Sequence, residues 1–342
     1  MSHQGYFAFT ALVLKMEGDL MLVARAMEHE TLAAQIPDCE HVPVDDSEDP
    51  ANAVARVIHM SGLGHGRIGV EKRTMSFPIH IWEGVVDKAP RVRWEDESGI
   101  VDDVRDVKSQ AEINYIRQAA AISDHALQSG IAAVGTGVNQ REVAAEVYRS
   151  MVATGGEYPG FAPLIRTGDS LLQEHTTWRD KVLGAGDSLF LELSGCVNRY
   201  HAPLSRIVYV RDLHDEVGRA AEIVLVGLEA ICDALRPGAV VGEVYAAWQA
   251  VVDEALGHHN YHRHHCGYMI GVGFPPSWVG GSTVKGLRPG SELPIREGMV
   301  FHLLPWLIGQ GPADYVVSDT ALVTDTGTEL LTSTPREPTV IE

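Results

Sequence analysis

The chain has 342 residues, of which 27 are Lys or Arg and 46 are Asp or Glu, so its formal net charge is −19. This length accommodates two domains with a large buried core. The acidic balance argues against nucleic acid and anionic membrane surfaces as partners.

Neither an export signal nor a membrane span is expected. The first residues lack a charged segment followed by an apolar one, and no apolar run approaches the ~18 residues of a spanning helix. Four cysteines are scattered without paired spacing, at positions 39, 196, 232 and 266. Reduced thiols are the plain interpretation, and we therefore expect a cytoplasmic protein.

The first hundred residues have the pattern of a small α/β domain without a catalytic motif. The predicted elements are a strand from Tyr6 to Leu14, a return strand from Leu20 to Ala24, a helix opened by Asp49 and Pro50 that runs through His59, a short buried strand at 67–71 and another strand at 91–96. Tyr6 and Trp82 are interpreted as core or lid aromatics. We expect a scaffold that closes the site of a neighbouring subunit.

Residues from Ser109 onward repeat at an offset of 101. Six residues recur: Ile122, Leu127, Gly137, Glu142, Val143 and Gly156 return as Ile223, Leu228, Gly238, Glu243, Val244 and Gly257. Each half therefore has a helix, a Gly turn, a second helix with an acidic start, and a Gly stop. Two such halves about a pseudo-twofold axis predict a curved, mostly antiparallel sheet with helices outside and a ligand cleft inside.

The segment GDSLFLELSGCVNRYHAPLSR places a carboxylate in an apolar strand. An unpaired Glu192 would be costly to bury, so a cation is expected to face it. Arg206 or Arg199 in a structural ion pair and a cationic substrate are the alternatives. On the following strand Tyr200 and Arg206 share one face, and His201 lies on the other.

This segment and the motifs that follow it resemble the creatinase and aminopeptidase P family. The resemblance covers nearly the whole chain after about Asp102 and opens at RDVKSQAEI. It implies an α+β protein with a pita-bread catalytic domain over residues 103–342, built on the internal repeat, and an α/β N-terminal domain over 1–102 that is shorter than usual in the family. It also implies a homodimer, in which the N-terminal domain of one chain lies near the cleft of the other.

Metal-dependent members of the family carry five ligand positions that are mostly changed here. The corresponding residues are Glu192, Pro203, Tyr268, Leu304 and Ser318. Two-metal hydrolase sites need several anionic or imidazole ligands at once, and only Glu192 could still bind a cation. The resemblance therefore predicts a reaction without a metal, and no other cofactor is expected.

A histidine-rich run and a glycine-rich string follow the second helix pair. The run GHHNYHRHHC contains His258, His259, His262, His264 and His265, but no carboxylate or cysteine stands at zinc-site spacing, so we expect only adventitious metal binding. In CGYMIGVGFPPSW three glycines allow the backbone to approach a ligand closely. Phe274 and Trp278 of the same string are predicted to form an apolar wall.

His175, in QEHTTW, lies at the position of a family histidine that acts as acid and base in the metal-free creatinase branch. Imidazole suits that work because its ordinary pKa of ~6.5 leaves both forms available near neutral pH. The strings GYMIG, GFPP, RYHAPLSR and FHLLPWL further resemble the ectoine hydrolase branch, whose members open a cyclic amidine without a metal.

That resemblance implies a small-molecule substrate and a role for each candidate residue. Glu192 would attack the amidine carbon or orient water toward it, His175 would protonate the departing nitrogen, and Tyr268 would donate a hydrogen bond. The remaining predicted substrate contacts are Trp178, Tyr200, His201, Arg206, Phe274 and Trp278, with Arg206 as a candidate for holding a substrate carboxylate.

Three alternatives stay open at this point: an Xaa-Pro dipeptidase-like enzyme, a creatinase-like amidinohydrolase of another substrate, and an inactive pita-bread module that binds peptides or a protein partner. The lost ligand positions argue against a metal-dependent dipeptidase. The persistence of His175 and Glu192 argues against an inactive module.

Overall fold

The computed structural model of the protein describes residues 8–279 and 283–342. It divides into two compact units, one of Met1–Asp102 with Gly281–Thr283 and one of Asp103–Gly280 with Val284–Glu342. Tyr6, predicted as a core or lid aromatic, lies outside the described residues.

The first unit contains two small sheets. In one, strand β1 (Ala11–Leu14) pairs antiparallel with β2 (Leu20–Arg25), which pairs in parallel with β3 (Glu40–Val44). In the other, β4 (Arg67–Val70) and β5 (Arg93–Asp96) are parallel. The predicted hairpin is therefore present. The strand predicted at 67–71 is present as β4, but its residues alternate between exposed and half-buried, so the prediction that it is buried is wrong.

Three helices complete the first unit: α1 (His29–Gln35), α2 (Pro50–Met60) and α3 (Ile79–Lys88). Helix α2 begins where predicted, because the Asp49 carboxylate accepts a hydrogen bond from the Ala51 amide at 2.9 Å and proline occupies the first helical position. Trp82 of α3 packs edge-on against Trp94 with ring centroids 5.0 Å apart, as a core aromatic would.

The second unit repeats a pair of helices, as the sequence periodicity predicts. After α4 (Ile100–Asp106), the first pair is α5 (Gln110–Ala132) and α6 (Gln140–Ala153), and the second is α7 (Val217–Ala234) and α8 (Val241–Leu256). Glu142 and Glu243 fulfil the same role in the two halves: each carboxylate accepts a hydrogen bond at 3.2 Å from the backbone amide three residues earlier.

A sheet of eight strands forms the centre of the second unit. The strands are β6 (Leu164–Thr167), β7 (Ser188–Val197), β8 (Tyr200–Val210), β9 (Gly267–Met269), β10 (Val300–Leu303), β11 (Val317–Thr324), β12 (Gly327–Leu330) and β13 (Thr339–Ile341). The main path runs β6-β7-β8-β11-β10-β9, and β12 and β13 pair with β11 and β8. Within the described residues the pairings are antiparallel except that of β13 with β8, so the predicted antiparallel sheet is confirmed.

The strand register brings distant motifs together. Glu192 of β7 pairs with Ser205 of β8, which in turn pairs with Ser318 of β11. Further along the sheet, His302 of β10 pairs with Tyr268 of β9. The sheet thereby aligns residues from five strands, of which Glu192 and Tyr268 line one cavity.

Candidate active site

A cavity of about 530 Å³ lies within the second unit. Its walls include Glu192, His175, Tyr268 and Trp278, all of which are predicted site residues. This volume is in the range of sites that enclose small molecules. The structure thus brings the predicted acid, base and hydrogen-bond donor to one place.

Glu192 is the buried carboxyl group of this cavity, with only 4% of its surface exposed. Burial raises the pKa of Glu192 to about 8, against the opposing positive charge of Arg166. Nε2 of His302 lies 3.9 Å from Glu192 Oε1, which is beyond hydrogen-bonding distance. Burial therefore favours the protonated carboxyl in the free protein, and a bound cation would favour its ionised form.

A chain of hydrogen bonds runs behind the cavity wall through His302. Nε1 of Trp278 donates to Tyr268 Oη at 2.9 Å, and Tyr268 Oη lies 2.9 Å from His302 Nδ1. On the other side of the ring, His302 Nε2 lies 2.7 Å from Ser318 Oγ, which is 2.8 Å from Ser205 Oγ. Burial lowers the pKa of His302 well below its ordinary value, so the ring is neutral and one nitrogen donates while the other accepts.

His175 lies in the segment that follows β6 and has a backbone φ of 58°, in the left-handed region that residues other than glycine seldom adopt. Its ring stacks on Phe161 with centroids 5.5 Å apart and an interplanar angle of 7°. Phe161 meets Trp278 edge-on at 4.7 Å. The aromatic contacts therefore hold the His175 ring against the cavity wall, and the side chain remains exposed to solvent.

The cations that act on Glu192 differ from those predicted. Arg166 of β6 and Arg263 line the cavity, and the positive charge of each lowers the pKa of Glu192 against the effect of burial. The predicted pairing of Glu192 with Arg206 or Arg199 is wrong. Arg199 instead donates to the carbonyl oxygens of Gly273 and Tyr158.

Arg206, predicted to hold a substrate carboxylate, is fully engaged elsewhere. Its guanidinium donates to Asp319 Oδ1 at 3.0 Å and to the carbonyl oxygens of Pro335 and Ser318 at 2.7 and 2.8 Å. The described residues that line the cavity do not include it. It lies on β8, next to the strand of Glu192, but its guanidinium is bound to Asp319 and to backbone carbonyls, which fits a structural role.

Tyr200 and His201, also predicted as substrate contacts, lie away from the described cavity wall. Tyr200 Oη donates to the Glu112 carboxylate at 2.8 Å. His201 is fully buried, its Nε2 accepts a hydrogen bond from the Gly160 amide at 2.8 Å, and burial lowers its pKa to about 3. The neutral His201 therefore has a structural role, because it binds the backbone of the loop that contains Gly160.

Two aromatic side chains that were predicted to contact the substrate, Trp178 and Phe274, do not line the described part of the cavity. Trp178 packs edge-on against Tyr148 of α6, with centroids 5.8 Å apart, in the apolar cluster between the first helix pair and the sheet. Phe274 is 43% exposed and lies beneath the Arg199 guanidinium. Of the predicted aromatic walls, Trp278 is the one that lines the described part of the cavity.

In the string CGYMIGVGFPPSW, Gly273 packs against protein backbone. A Cβ atom on Gly273 would lie 2.8 Å from the Ser277 carbonyl oxygen, and one on Gly160 would lie 2.4 Å from the same atom. The loop that carries Trp278 therefore packs directly on two glycines. The prediction that glycines admit a ligand is corrected: at Gly273 the close approach is to the protein's own chain.

The donor set does not fit the two-metal centre of the metal-dependent members of the family. Tyr268 Oη and Ser318 Oγ are both committed to His302, and Leu304 presents only carbon to the cavity. Among residues 8–279 and 283–342 there is no group of three or more His, Cys, Asp or Glu that could hold a metal ion. This includes the histidine-rich run, where His258 Nδ1 instead lies 2.8 Å from the Asp253 carboxylate.

Four functional candidates were missed by sequence reasoning: Arg166, Glu174, Arg263 and His302, all beside Glu192. The signal that identified Glu192, an ionisable side chain inside an apolar strand, also applies to Arg166 in PLIRTG and His302 in MVFHLL. Arg263 lies within the histidine-rich run and Glu174 precedes His175, and neither has a local pattern that predicts a role at the site.

The fold and the sequence together define the class of protein. Residues 114–325 match Metallopeptidase family M24, and residues 4–107 match the Creatinase/Prolidase N-terminal domain. Since the first match spans more than half of the chain, the protein belongs to the metallopeptidase family M24, and its relatives support the class of hydrolase. The predicted family and pita-bread fold are confirmed.

Individual relatives carry two different activities in their names. The chain is 29% identical over 289 residues to Ectoine hydrolase from Halomonas elongata, with 81% of this chain and 70% of that protein covered. It is 26% identical over 311 residues to Xaa-Pro dipeptidase from Pyrococcus horikoshii, with 90% and 86% covered. The structure of an X-Pro aminopeptidase from Thermotoga maritima matches with a TM-score of 0.85 at 20% identity over 97% of this chain and 88% of that one.

Two general properties complete the description. Within the part of the chain that the structure describes, no helix combines the length and apolar character needed to span a membrane. The four cysteines are free thiols.

Proposed function

We propose that this protein hydrolyses a C–N bond of a small cyclic amidine without a bound metal, and that its substrate is ectoine, which would give N-acetyl-2,4-diaminobutyrate. The observation that carries the proposal is that Glu192, His175 and Tyr268 share one cavity of about 530 Å³. The side chains at the other family ligand positions are unsuited to a metal. The relative named Ectoine hydrolase, 29% identical over 81% of this chain, supports the choice of substrate.

Glu192 provides the negative charge that a cyclic amidinium requires. Approach of the cation favours the ionised carboxylate, which is then buried beside the positive carbon of the ring. From there it removes a proton from an attacking water molecule, or it attacks the carbon itself and forms a covalent intermediate. Both routes give a tetrahedral carbon next to Glu192.

Tyr268 provides a hydrogen bond at the tetrahedral stage. When His302 Nδ1 carries the ring proton, Tyr268 Oη accepts from both His302 and Trp278, so its own proton is free to point into the cavity. Ser318 then donates to His302 Nε2. The chain of hydrogen bonds thereby orients a donor at a position where metal-dependent relatives of the family have a ligand.

His175 completes the reaction as the proton donor. The ring C–N bond breaks as the departing nitrogen takes a proton, and an exposed imidazole can regain that proton from solvent. The Phe161 stack fixes the plane of the ring while both nitrogens stay available. The product keeps an amide at the former amidine carbon and a free amine at the former ring nitrogen.

Chelator-treated protein incubated with ectoine tests the proposal, with ring opening followed by proton NMR. We expect turnover that persists without metal and falls by about 10²–10⁴-fold in both Glu192→Gln and His175→Ala. His125→Ala, which removes an exposed histidine on α5, is the matched control and should keep wild-type activity. Full activity in Glu192→Gln would overturn the assignment.

The relative named Xaa-Pro dipeptidase supports a second candidate, cleavage of an Xaa-Pro dipeptide. Its signature would be hydrolysis of Gly-Pro that rises on addition of manganese or cobalt. Inactivity on both substrates would favour the peptide-binding or protein-binding module.

A further inference from the structure

Unpartnered nitrogen atoms are concentrated on one cavity. Across the described residues, seven buried side-chain nitrogens lack a hydrogen-bond partner, and four of them belong to residues that line the cavity: Arg166 Nε, Arg263 Nε, His265 Nδ1 and Trp306 Nε1. Buried polar atoms in folded proteins are nearly always paired. A group of unpaired donors on one surface therefore indicates a ligand that accepts hydrogen bonds.

Two neighbouring aromatic rings support the guanidinium groups. Arg166 lies over the ring of Phe190 at 4.5 Å, and Arg263 lies over the ring of Trp306 at 5.1 Å. Phe190 and Trp306 meet edge-on with centroids 5.6 Å apart. The two cations are thus carried on neighbouring rings, and the indole N–H of Trp306 belongs to the same group.

The contacts that these arginines already make leave hydrogen-bonding capacity. Arg166 Nη1 donates to the Gln173 carbonyl oxygen at 2.7 Å. Arg263 Nη2 lies 3.8 Å from Glu174 Oε1, too far for a hydrogen bond, and the Glu174 side chain is 47% exposed. A solvent-screened pair at that distance contributes little, so Glu174 does not satisfy Arg263.

The charges of the cavity wall favour an anion. Three guanidinium groups, of Arg166, Arg263 and Arg288, face two carboxyl groups, of Glu174 and Glu192. Because burial raises the pKa of Glu192 to about 8, the excess of positive charge is larger still at neutral pH. This local excess stands within a chain whose net charge is −19.

We infer that Arg166, Arg263 and the indole N–H of Trp306 form a subsite for a carboxylate, so that the ligand of this cavity is a small zwitterion with its cationic carbon toward Glu192. Guanidinium groups suit a carboxylate because they bind both of its oxygens in one plane. The inference deepens the proposed function and rests on it for the cationic half of the ligand. It transfers the role predicted for Arg206 to a pair of arginines that are free to perform it.

Measurements of equilibrium binding test the carboxylate subsite independently of the hydrolysis reaction. Dissociation constants for ectoine and for the same cyclic amidine without its carboxylate would be measured by tryptophan fluorescence in full-length Glu192→Gln protein, which prevents turnover. We expect ectoine to bind about 10–100-fold more tightly than the amidine without a carboxylate, because hydrogen bonds to a charged group strengthen binding by about that factor. Arg263→Met should bring the ratio close to one, and Arg263→Lys should restore part of it because it restores a point charge.

Arg166→Met should have the same effect on the ratio, and Arg219→Met, on the exposed surface of α7, is the control that removes an equal charge. Thermal melting of each variant checks folding, and Arg263→Met carries the test if Arg166→Met fails to fold. A ratio near one in the parent protein, a ratio that survives both arginine variants, or no binding of either ligand at millimolar concentration would overturn the subsite.

The two proposals fail in different ways. An Arg263-dependent preference for the carboxylate, in a protein that does not open ectoine, would keep the subsite and reject the reaction. Hydrolysis of ectoine by a protein that binds both ligands equally would do the reverse.

Discussion

Two buried charged regions of the second unit differ in how completely their groups are paired. Around Arg206, the carboxylate of Asp319 accepts from Arg206, from Arg336 Nε at 2.7 Å and from Thr332 Oγ1 at 2.7 Å. Around Glu192, the side chains of Arg166 and Arg263 are also mostly buried, but each has an unpartnered Nε. Burial and charge are common to both regions, so it is the unmet hydrogen-bonding capacity that distinguishes a binding surface from a structural ion pair.

The largest expected effect is a loss of stability on replacing Arg206, whose charged neighbours are completely paired. Arg206→Met leaves Asp319 at 0% exposure with half of its cationic partners, which should lower the free energy of unfolding by about 3–5 kcal/mol. Urea denaturation would measure this change, with Arg219→Met as the control. A raised KM for ectoine with unchanged stability would contradict the comparison and return Arg206 to the site.

The next effect concerns the charge of Glu192. Its raised pKa means that the ionised form is scarce below pH 8, so the limb that Glu192 gives to the pH profile of kcat/KM should rise toward pH 8 by up to about tenfold per pH unit, and the need for a proton on the acid His175 adds a falling limb. The groups that set this pKa besides burial are Arg166, Glu174 and Arg263, and the neighbouring His302 stays neutral.

Initial rates from pH 5 to 9 at low substrate concentration would show this rising limb. Removing a positive neighbour in Arg166→Met should move the limb to higher pH, because the ionised carboxylate loses a favourable charge. Rates with no rising limb between pH 5 and 9, as expected for a carboxyl with the ordinary pKa of ~4.3, would contradict a raised pKa of Glu192.

The smallest effect is expected at Trp178. Trp178→Phe keeps an aromatic ring against Tyr148 and touches no described part of the cavity wall, so KM for ectoine should change by less than about twofold. Steady-state kinetics would measure it, with Trp278→Phe as the contrasting variant that removes the hydrogen bond to Tyr268. A tenfold rise for Trp178→Phe would place that side chain back at the substrate.

The sequence predicts the scaffold of the second unit well, for a local reason. Glu142 and Glu243 cap equivalent helices, and the strand signal around Glu192 depends only on neighbouring residues. The residues opposite Glu192 could not be predicted in this way, because they come from distant parts of the chain: Arg166 from β6 and Arg263 from the segment before β9. Alternation along β8 gives the face of Arg206, but it does not reveal that Asp319, 113 residues later, occupies that face.

The role of His302 also depends on residues from other strands, so it could not be read from its own strand. Within β10 it is one polar residue in an apolar run, and its importance depends on Tyr268 and Ser318, which reach it from β9 and β11. A single strand contains no information on such partners. The arrangement becomes visible only when the register of three strands is known.

The hydrogen-bond chain from Trp278 to Ser205 has a consequence for how this protein can evolve. A Glu restored at Ser318 alone would place a carboxylate against His302, which burial keeps neutral, in a site with 0% exposure. A His restored at Tyr268 alone would leave both Trp278 and His302 without their shared oxygen. A metal centre at these positions would therefore require several simultaneous replacements, because each single change leaves a buried polar group without its partner.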